Sequence, residues 1–296
     1  MESVTFYSQG SKLVGHLHRN RGANTCGPGV VVVGSWTTVK EQMPSNYAPL
    51  MADAGITALT FDFAGFGESE GALRDVESPR RKAEDIRNAL LFLRTRAEVD
   101  PERAGVLAIC ASAGYTALAA LDEPAVKSIV MVAPWLHDAA IVKEMYGGDA
   151  GVADRLAKAR AAREHYVKTG TVDYVSAASN SDPTAAMYSS GHALDYYLNP
   201  KRGAIPQWGA RFAVMAWNEW LEFDPIPTAA RINVPLRIVT SEQSATPGGA
   251  KQFAAGLRGR HDVVWTSGIQ FDFYDSPSSV RFAADRAIEH FKHTLP

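Results

Sequence analysis

Residues 108–114 read Ala-Ile-Cys-Ala-Ser-Ala-Gly, after the apolar run Val106-Leu107-Ala108-Ile109 and before an alanine-rich stretch over 112–121. A reactive side chain carried between a strand end and a helix start sits on a very sharp turn, so the residues two before and two after it must be small. Cys110 meets this with Ala108 and Ser112, and Ala113 comes next. The helix N-terminus behind it would lower a thiol pKa and offer the Ala111 N–H to a developing oxyanion. Ser112 is the rival nucleophile, because Cys110-Ala111-Ser112-Ala113-Gly114 also fits a loose x-x-Ser-x-Gly pattern. It would put bulky Tyr115 where a small residue is usual. The spacing favours Cys110, and the plain alternative is a buried packing cysteine.

The elements that would carry such a turn surround it. Val30 to Val33 form a β-branched run between Gly29 and Gly34, the mark of a strand buried on both faces and hence of a parallel sheet between helices. A helical segment over 47–54 precedes a second apolar strand over 56–61. Residues 80–96 carry Ile86, Ala89, Leu90 and Leu93 at helical spacing, and 128–133 is the next buried strand, stopped by Pro134. This alternation is the α/β class. An antiparallel hairpin over 4–8 and 13–18, turned at Gln9-Gly10-Ser11, and a polar connection through Cys26-Gly27-Pro28 lead into it. Between Leu136 and Asp224 no strand of that type appears. A helical stretch over 152–166 stands there instead, with three of the six Trp and six of the ten Tyr. The parallel pattern resumes over 235–240, followed by a helix from Pro247, a short strand over 262–265 and a last helix with Val280, Ala283, Ala284, Ala287, Ile288 and Phe291 on one face. The reading is a doubly wound, mostly parallel core over 1-135 and 226-296, with 136-225 an inserted helical, aromatic-rich cap.

Charge and composition bound the function. Lys and Arg total 30 against 32 Asp and Glu in 296 residues, a net charge of −2, which excludes an electrostatic footprint for nucleic acid or anionic membrane. At 46% hydrophobic and 21% charged the chain has the make-up of a folded globular protein. Two cysteines, Cys26 and Cys110, make no disulfide framework, and the N-terminus carries neither a basic n-region nor an apolar h-region. No apolar run approaches the roughly 20 residues of a membrane helix. The expectation is a soluble, cytoplasmic protein with a small-molecule partner and no nucleic acid or membrane.

With the hairpin, the Gly34-Ser35-Trp36 loop, Phe61-Asp62-Phe63-Ala64-Gly65-Phe66-Gly67-Glu68-Ser69, the Cys110 turn and the insertion together, nearly the whole chain resembles an α/β-hydrolase. Gly34 to Met43 with Ile109 to Tyr115 is similar to the branch that holds dienelactone hydrolases and polyketide transferase/thiohydrolase proteins. The resemblance implies an oxyanion hole from the N–H groups of Trp36 and Ala111, with Ser35, Ser112, Trp135 and Gln270 around the substrate. It also puts Ser244 near the expected acid, with only Glu242 able to substitute, and Gln270 in the place of the histidine. An amide cannot act as general base, a loss that a thiol tolerates better than a hydroxyl because part of it is thiolate unassisted. Stand-in groups are His137 and Asp138, after the strand at Val130, and Glu41, whose counterpart lies beside the thiol in dienelactone hydrolases. Their structural alternatives are a helix cap for His137 and a salt bridge with Lys40 or an arginine for Glu41.

Cap aromatics such as Tyr196, Tyr197, Trp208, Phe212, Trp217 and Trp220 are expected mostly to pack, with one or two facing a substrate, while Trp36 is the stronger candidate for a pocket wall. No His, Cys, Asp or Glu spacing suggests a metal, and Gly65-Phe66-Gly67 lacks the third glycine of a dinucleotide site, so no cofactor is expected. The reading is an enzyme acting on an acyl or carbonyl compound (ester, thioester or polyketide-like) through Cys110. Hydrolysis competes with acyl transfer, cyclisation or lyase chemistry, a catalytically inactive binding protein is the other class, and a homodimer is an open expectation.

Overall fold

β-Branched runs with nothing polar to show to water become the inner strands of the computed structural model, which describes residues 1–19, 26–121 and 123–296. The core strands are β1 (Glu2–Ser8), β2 (Ser11–His18), β3 (Gly27–Val33), β4 (Thr57–Phe61), β5 (Val99–Ile109) and β6 (Ser128–Val132), interleaved with helices α1 (Pro44–Asp53), α2 (Pro79–Arg94) and α3 (Ser112–Ala119). After β6 come α4 (Ala139–Met145), α5 (Gly148–Thr169), the short strands β7 (Tyr174–Ser176), β8 (Ala178–Ser179) and β9 (Met187–Tyr188), α6 (Asp195–Leu198), β10 (Arg211–Ala213) and α7 (Trp217–Glu222). The chain then returns as β11 (Leu236–Gln243), α8 (Pro247–Gly256), β12 (His261–Ile269), α9 (Asp272–Asp275) and α10 (Pro277–Thr294).

Eight strands form one sheet in the order β1-β2-β4-β3-β5-β6-β11-β12. β1 pairs antiparallel with β2 and β2 with β4, and the remaining pairs are parallel. Val30 to Val33 are buried as their β-branched run requires, and Ile86, Ala89, Leu90 and Leu93 form the inner face of α2. Strand order reverses between β3 and β5, so the carboxyl ends of these two strands open the crevice in which doubly wound sheets place their ligands.

Three elements depart from expectation. Residues 136-225, expected to be helical, also hold strands: β7 pairs with β10 and β8 with β9, in strands too short to show an alternating pattern. β12 is twice as long as its apolar centre, because it is the sheet's edge strand and exposes alternate residues. β5 starts at Val99 rather than at the apolar run, since Val99 pairs with Gly27 and a register shift carries the polar residues after it. The polar connection expected through Cys26-Gly27-Pro28 stops at Cys26, because Gly27 already pairs with Val99 in β3, and residues 20–25 of it lie outside the described residues. No helix is long and apolar enough to cross a membrane among the described residues.

Candidate active site

At the end of β5, Cys110 adopts φ +60°, a conformation that a residue with a β-carbon holds only where its surroundings impose it. Its N–H donates to Val132 O (3.0 Å), and its carbonyl accepts from the N–H groups of Ala113 (3.1 Å) and Trp135 (2.9 Å). Ala108, Ala111 and Ala113 are buried around it, as so tight a turn requires. Ser112 is turned into the fold: its hydroxyl accepts from the Ile109 N–H (3.0 Å) and lies 3.0 Å from the carbonyls of Val33 and Ile109. It braces the ends of β3 and β5 against each other.

The facing loop leaves β3 at Gly34. Thr37, at φ +62°, donates its N–H to Glu77 Oε2 (2.9 Å). Glu77 is fully buried, is paired with Lys82 (2.7 Å) and accepts the Tyr115 hydroxyl (2.6 Å), and the Lys82 ammonium lies 4.2 Å from the centre of the Phe66 ring. This buried set pins the loop so that the N–H groups of Trp36 and Ala111 both reach the Cys110 sulfur. Two converging backbone donors at a nucleophile's position have the arrangement of an oxyanion hole. Ser35 Oγ and Tyr274 Oη also contact the sulfur. Burial pushes the thiol up from its ordinary range, and hydrogen bonds with these four groups oppose that shift.

Gln270 is buried where the resemblance puts a histidine. Its Nε2 donates to Ala133 O (2.8 Å) and to Tyr274 Oη (3.2 Å), and its Oε1 accepts from the Ala245 N–H (2.9 Å). Tyr274 Oη is 3.2 Å from Ser35 Oγ, which is 3.1 Å from Tyr197 Oη. Ser244, near the expected acid, is held by Thr240 Oγ1 (3.1 Å) and Ser241 Oγ (3.2 Å). A chain of neutral groups thus occupies the place of a charged pair. Sequence reasoning missed Tyr274, although its place four residues after Gln270, across the turn that opens α9, was a usable signal.

The expected bases stand elsewhere. Trp135 Nε1, which can only donate, bonds His137 Nδ1 (2.7 Å), so neutral His137 carries its proton on Nε2, which is buried without a hydrogen-bond partner. Burial lowers its pKa to about 4, and no lone pair remains to take a proton. Asp138 caps α4 through the N–H groups of Ala140 and Ile141 (2.9 Å each). Glu41 pairs with Lys40 (2.7 Å), whose buried ammonium also meets Asp62 (2.7 Å) and Glu68 (2.6 Å). His16, Glu41 and Glu68 are the one grouping of potential metal ligands among the described residues, and Lys40 already supplies a cation to both carboxylates. Glu242 pairs with Lys251 at the surface (2.8 Å). Trp36 packs against Phe212 (4.8 Å), Trp220 (5.1 Å) and Trp217 (5.7 Å), and Trp135 adds to this roof through Trp220 (6.2 Å). The Trp36 Nε1–H in the roof is buried without a hydrogen-bond partner.

No protein-family model matches the chain. It is 30% identical over 236 residues to uncharacterized protein PA2218 of Pseudomonas aeruginosa, an alignment of 78% of this chain that spans 60% of that relative's length. The crystal structure of PA2218 superposes with a TM-score of 0.85 at 22% identity, covering 99% of this chain and 93% of the other. A 136-residue stretch, 46% of this chain and 42% of the relative, is 35% identical to thiohydrolase aneE of Aspergillus aculeatus. Alpha/beta hydrolase GrgF of Penicillium superposes with a TM-score of 0.82 at 19% identity, over 99% of this chain and 98% of the other. With this sheet order and the turn at the end of β5, the chain has the α/β-hydrolase fold, and part of it is similar in sequence to a thiohydrolase.

Proposed function

We propose that the protein is an acyl-processing enzyme that takes an acyl group from a small-molecule thioester or ester onto Cys110 and passes it to an acceptor other than water. The observation that carries this reading is the sulfur of Cys110 beneath two backbone N–H groups, with the neutral, fully bonded Gln270 where a general base would stand. Sγ adds to the acyl carbon, the carbonyl oxygen turns towards the N–H groups of Trp36 and Ala111, and the leaving group departs to give an acyl-Cys110 thioester. Water is a poor acceptor without a base to deprotonate it, whereas a second thiol, an amine or a carbon nucleophile within the substrate needs less help. Transfer and cyclisation are therefore favoured over hydrolysis. Glu41, His137 and Asp138 have no proton-transfer role in this reading, Ser35 and Trp36 line the acyl site, and 136–225 acts as its cap. The reading extends to a cytoplasmic location and a homodimer, which fractionation and light scattering check.

The test is intact-protein mass after incubation with small-thiol acyl thioesters and activated acyl esters, for the native protein, Cys110→Ala and Ser112→Ala. The expected result is an acyl increment in the native protein and in any Ser112→Ala that folds, none in Cys110→Ala, and release that quickens with added thiol or amine. A second reading, a binding protein without turnover, is favoured by the burial that holds the Cys110 thiol up. Tight ligand binding unchanged in Cys110→Ala, with no increment in the native protein, would establish it instead.

A further inference from the structure

We propose that Tyr274 is a catalytic residue: its hydroxyl, bridging the Cys110 thiol and Ser35 Oγ and fixed by Gln270, carries the thiol proton to the leaving group in place of the missing base. This rests on the acyl-Cys110 reading above. A base is needed when a proton must be held between two steps. In thioester exchange the attacking thiol has a proton to lose and the leaving thiolate one to gain, so a group that accepts and donates in the same event is sufficient. A phenol hydroxyl can do both.

The geometry supplies that group. Tyr274 Oη contacts the sulfur and is 3.2 Å from Ser35 Oγ. Gln270 Nε2 donates to the phenol oxygen from 3.2 Å, and either hydroxyl can donate across the Tyr274–Ser35 contact, so one phenol proton can serve the sulfur or Ser35 in turn. The amide is in turn fixed by Ala133 O and the Ala245 N–H, so its orientation is set by backbone. The ring is fully buried and held at its edge by Tyr196 (5.0 Å) and Phe271 (5.3 Å). Burial beside Cys110 raises the phenol far from ionisation, so Tyr274 acts as a neutral carrier.

The step balances. As the Sγ–C bond forms, the thiol proton moves to Tyr274 Oη, the phenol proton moves to Ser35 Oγ, and the Ser35 proton passes to the departing sulfur as its C–S bond breaks. Both hydroxyls end as they began, the leaving group leaves as a thiol, and no net charge is created. Run backwards with an acceptor thiol, the same path releases the acyl group.

The relay makes the protonated thiol the reacting species, so the acylation rate should not track thiolate content. Single-turnover acylation by an acyl thioester, followed by intact mass, is measured from about pH 6 to about pH 9 for the native protein, Tyr274→Phe and Ser35→Ala. The native rate is expected to be flat, while Tyr274→Phe is slower by roughly 100-fold near neutrality and rises about tenfold per pH unit, as a bare thiolate route must. A native rate that itself rises tenfold per unit, or superimposable profiles for the native protein and Tyr274→Phe, overturns the relay. Should Tyr274→Phe fail to fold, Ser35→Ala carries the test: a thiolate-like slope supports the relay and a flat profile overturns it. Absence of any increment on the native protein overturns the acyl-enzyme reading itself, an outcome distinct from both.

Discussion

At the residue scale the site is a thiol surrounded by donors, and the exchange of a charged pair for neutral groups decides what it can do. Ala245 and Ala133 hold the Gln270 amide through their main chains, so the position is already built to orient a planar polar group. Combining Gln270→His with Ser244→Asp should therefore restore a base beside Cys110. The expected outcome is an acyl-enzyme whose hydrolytic lifetime shortens by about 100-fold, read by the decay of the mass increment in the absence of acceptor. Unchanged decay in a folded double variant would mean that the base was not what limited release. The choice of Cys110 over Ser112 rests on residue size at the turn and on a thiol's tolerance of a missing base, and the structure gives each a clear place: Cys110 sits on the turn, and Ser112 braces two strand ends. The fate of His137 was not legible, because its tautomer depends on a bond from Trp135 that no spacing rule announces.

At the element scale, the loop after β3 and the helix after β5 are positioned by groups far from them in the chain. Glu77 precedes α2, yet it accepts the Thr37 N–H and the Tyr115 hydroxyl, and it neutralises Lys82 in a setting with no water to help. Removing one partner of such a pair strands a buried charge. Glu77→Gln should cost about 3–5 kcal/mol in denaturant unfolding, and adding Lys82→Met should recover more than half of that. Equal losses in the single and double variants would show that the bonds to Thr37 and Tyr115, rather than the charge, are what matter. Helix α3 is also fitted to the segment that follows α7, since a β-carbon on Gly114 would lie 2.9 Å from Phe223 Cε1 and 3.2 Å from Pro225 Cγ. Gly114→Ala should lower stability by about 1–3 kcal/mol through overpacking, seen as a lower midpoint with an unchanged denaturant slope. The strands and helices of the core were legible because burial on two faces or on one stripe leaves a periodic trace. The short strands of the insertion were not, since two or three residues carry no period.

For the whole molecule, three histidines are held neutral by burial, and they set its response to acid. His18, His137 and His290 each have a pKa lowered to about 4, with loss of hydration the largest cause in all three. The unfolded chain takes up these protons near pH 6.5 and the folded chain only near pH 4, so between the two the unfolded state binds more protons. Stability is therefore full above about pH 6.5 and falls as pH drops towards 4, by up to about 2 kcal/mol per histidine at pH 5. Asp62 and Asp85, raised by burial, act in the opposite sense at the acid end. Thermal melts should show a lower midpoint at pH 5 than at pH 7, and His290→Gln should reduce that difference. An equal difference in His290→Gln would show that His290 does not contribute.

The amino-acid sequence by itself determined the class of fold, the order of its core elements and the turn that presents Cys110, because these follow from local pattern: burial periodicity, small residues and helix starts. Only the tertiary structure decided the chemistry around the sulfur. Ser35, Cys110, Tyr197 and the pair Gln270 and Tyr274 come from four separate stretches of chain and meet only in the folded protein. The same packing holds Lys40 on Asp62, so that the neighbouring Glu41 is engaged by an ammonium fixed from elsewhere in the fold. Which groups share a hydrogen bond in a buried site depends on distances across the fold, and those are set by packing rather than by spacing along the chain.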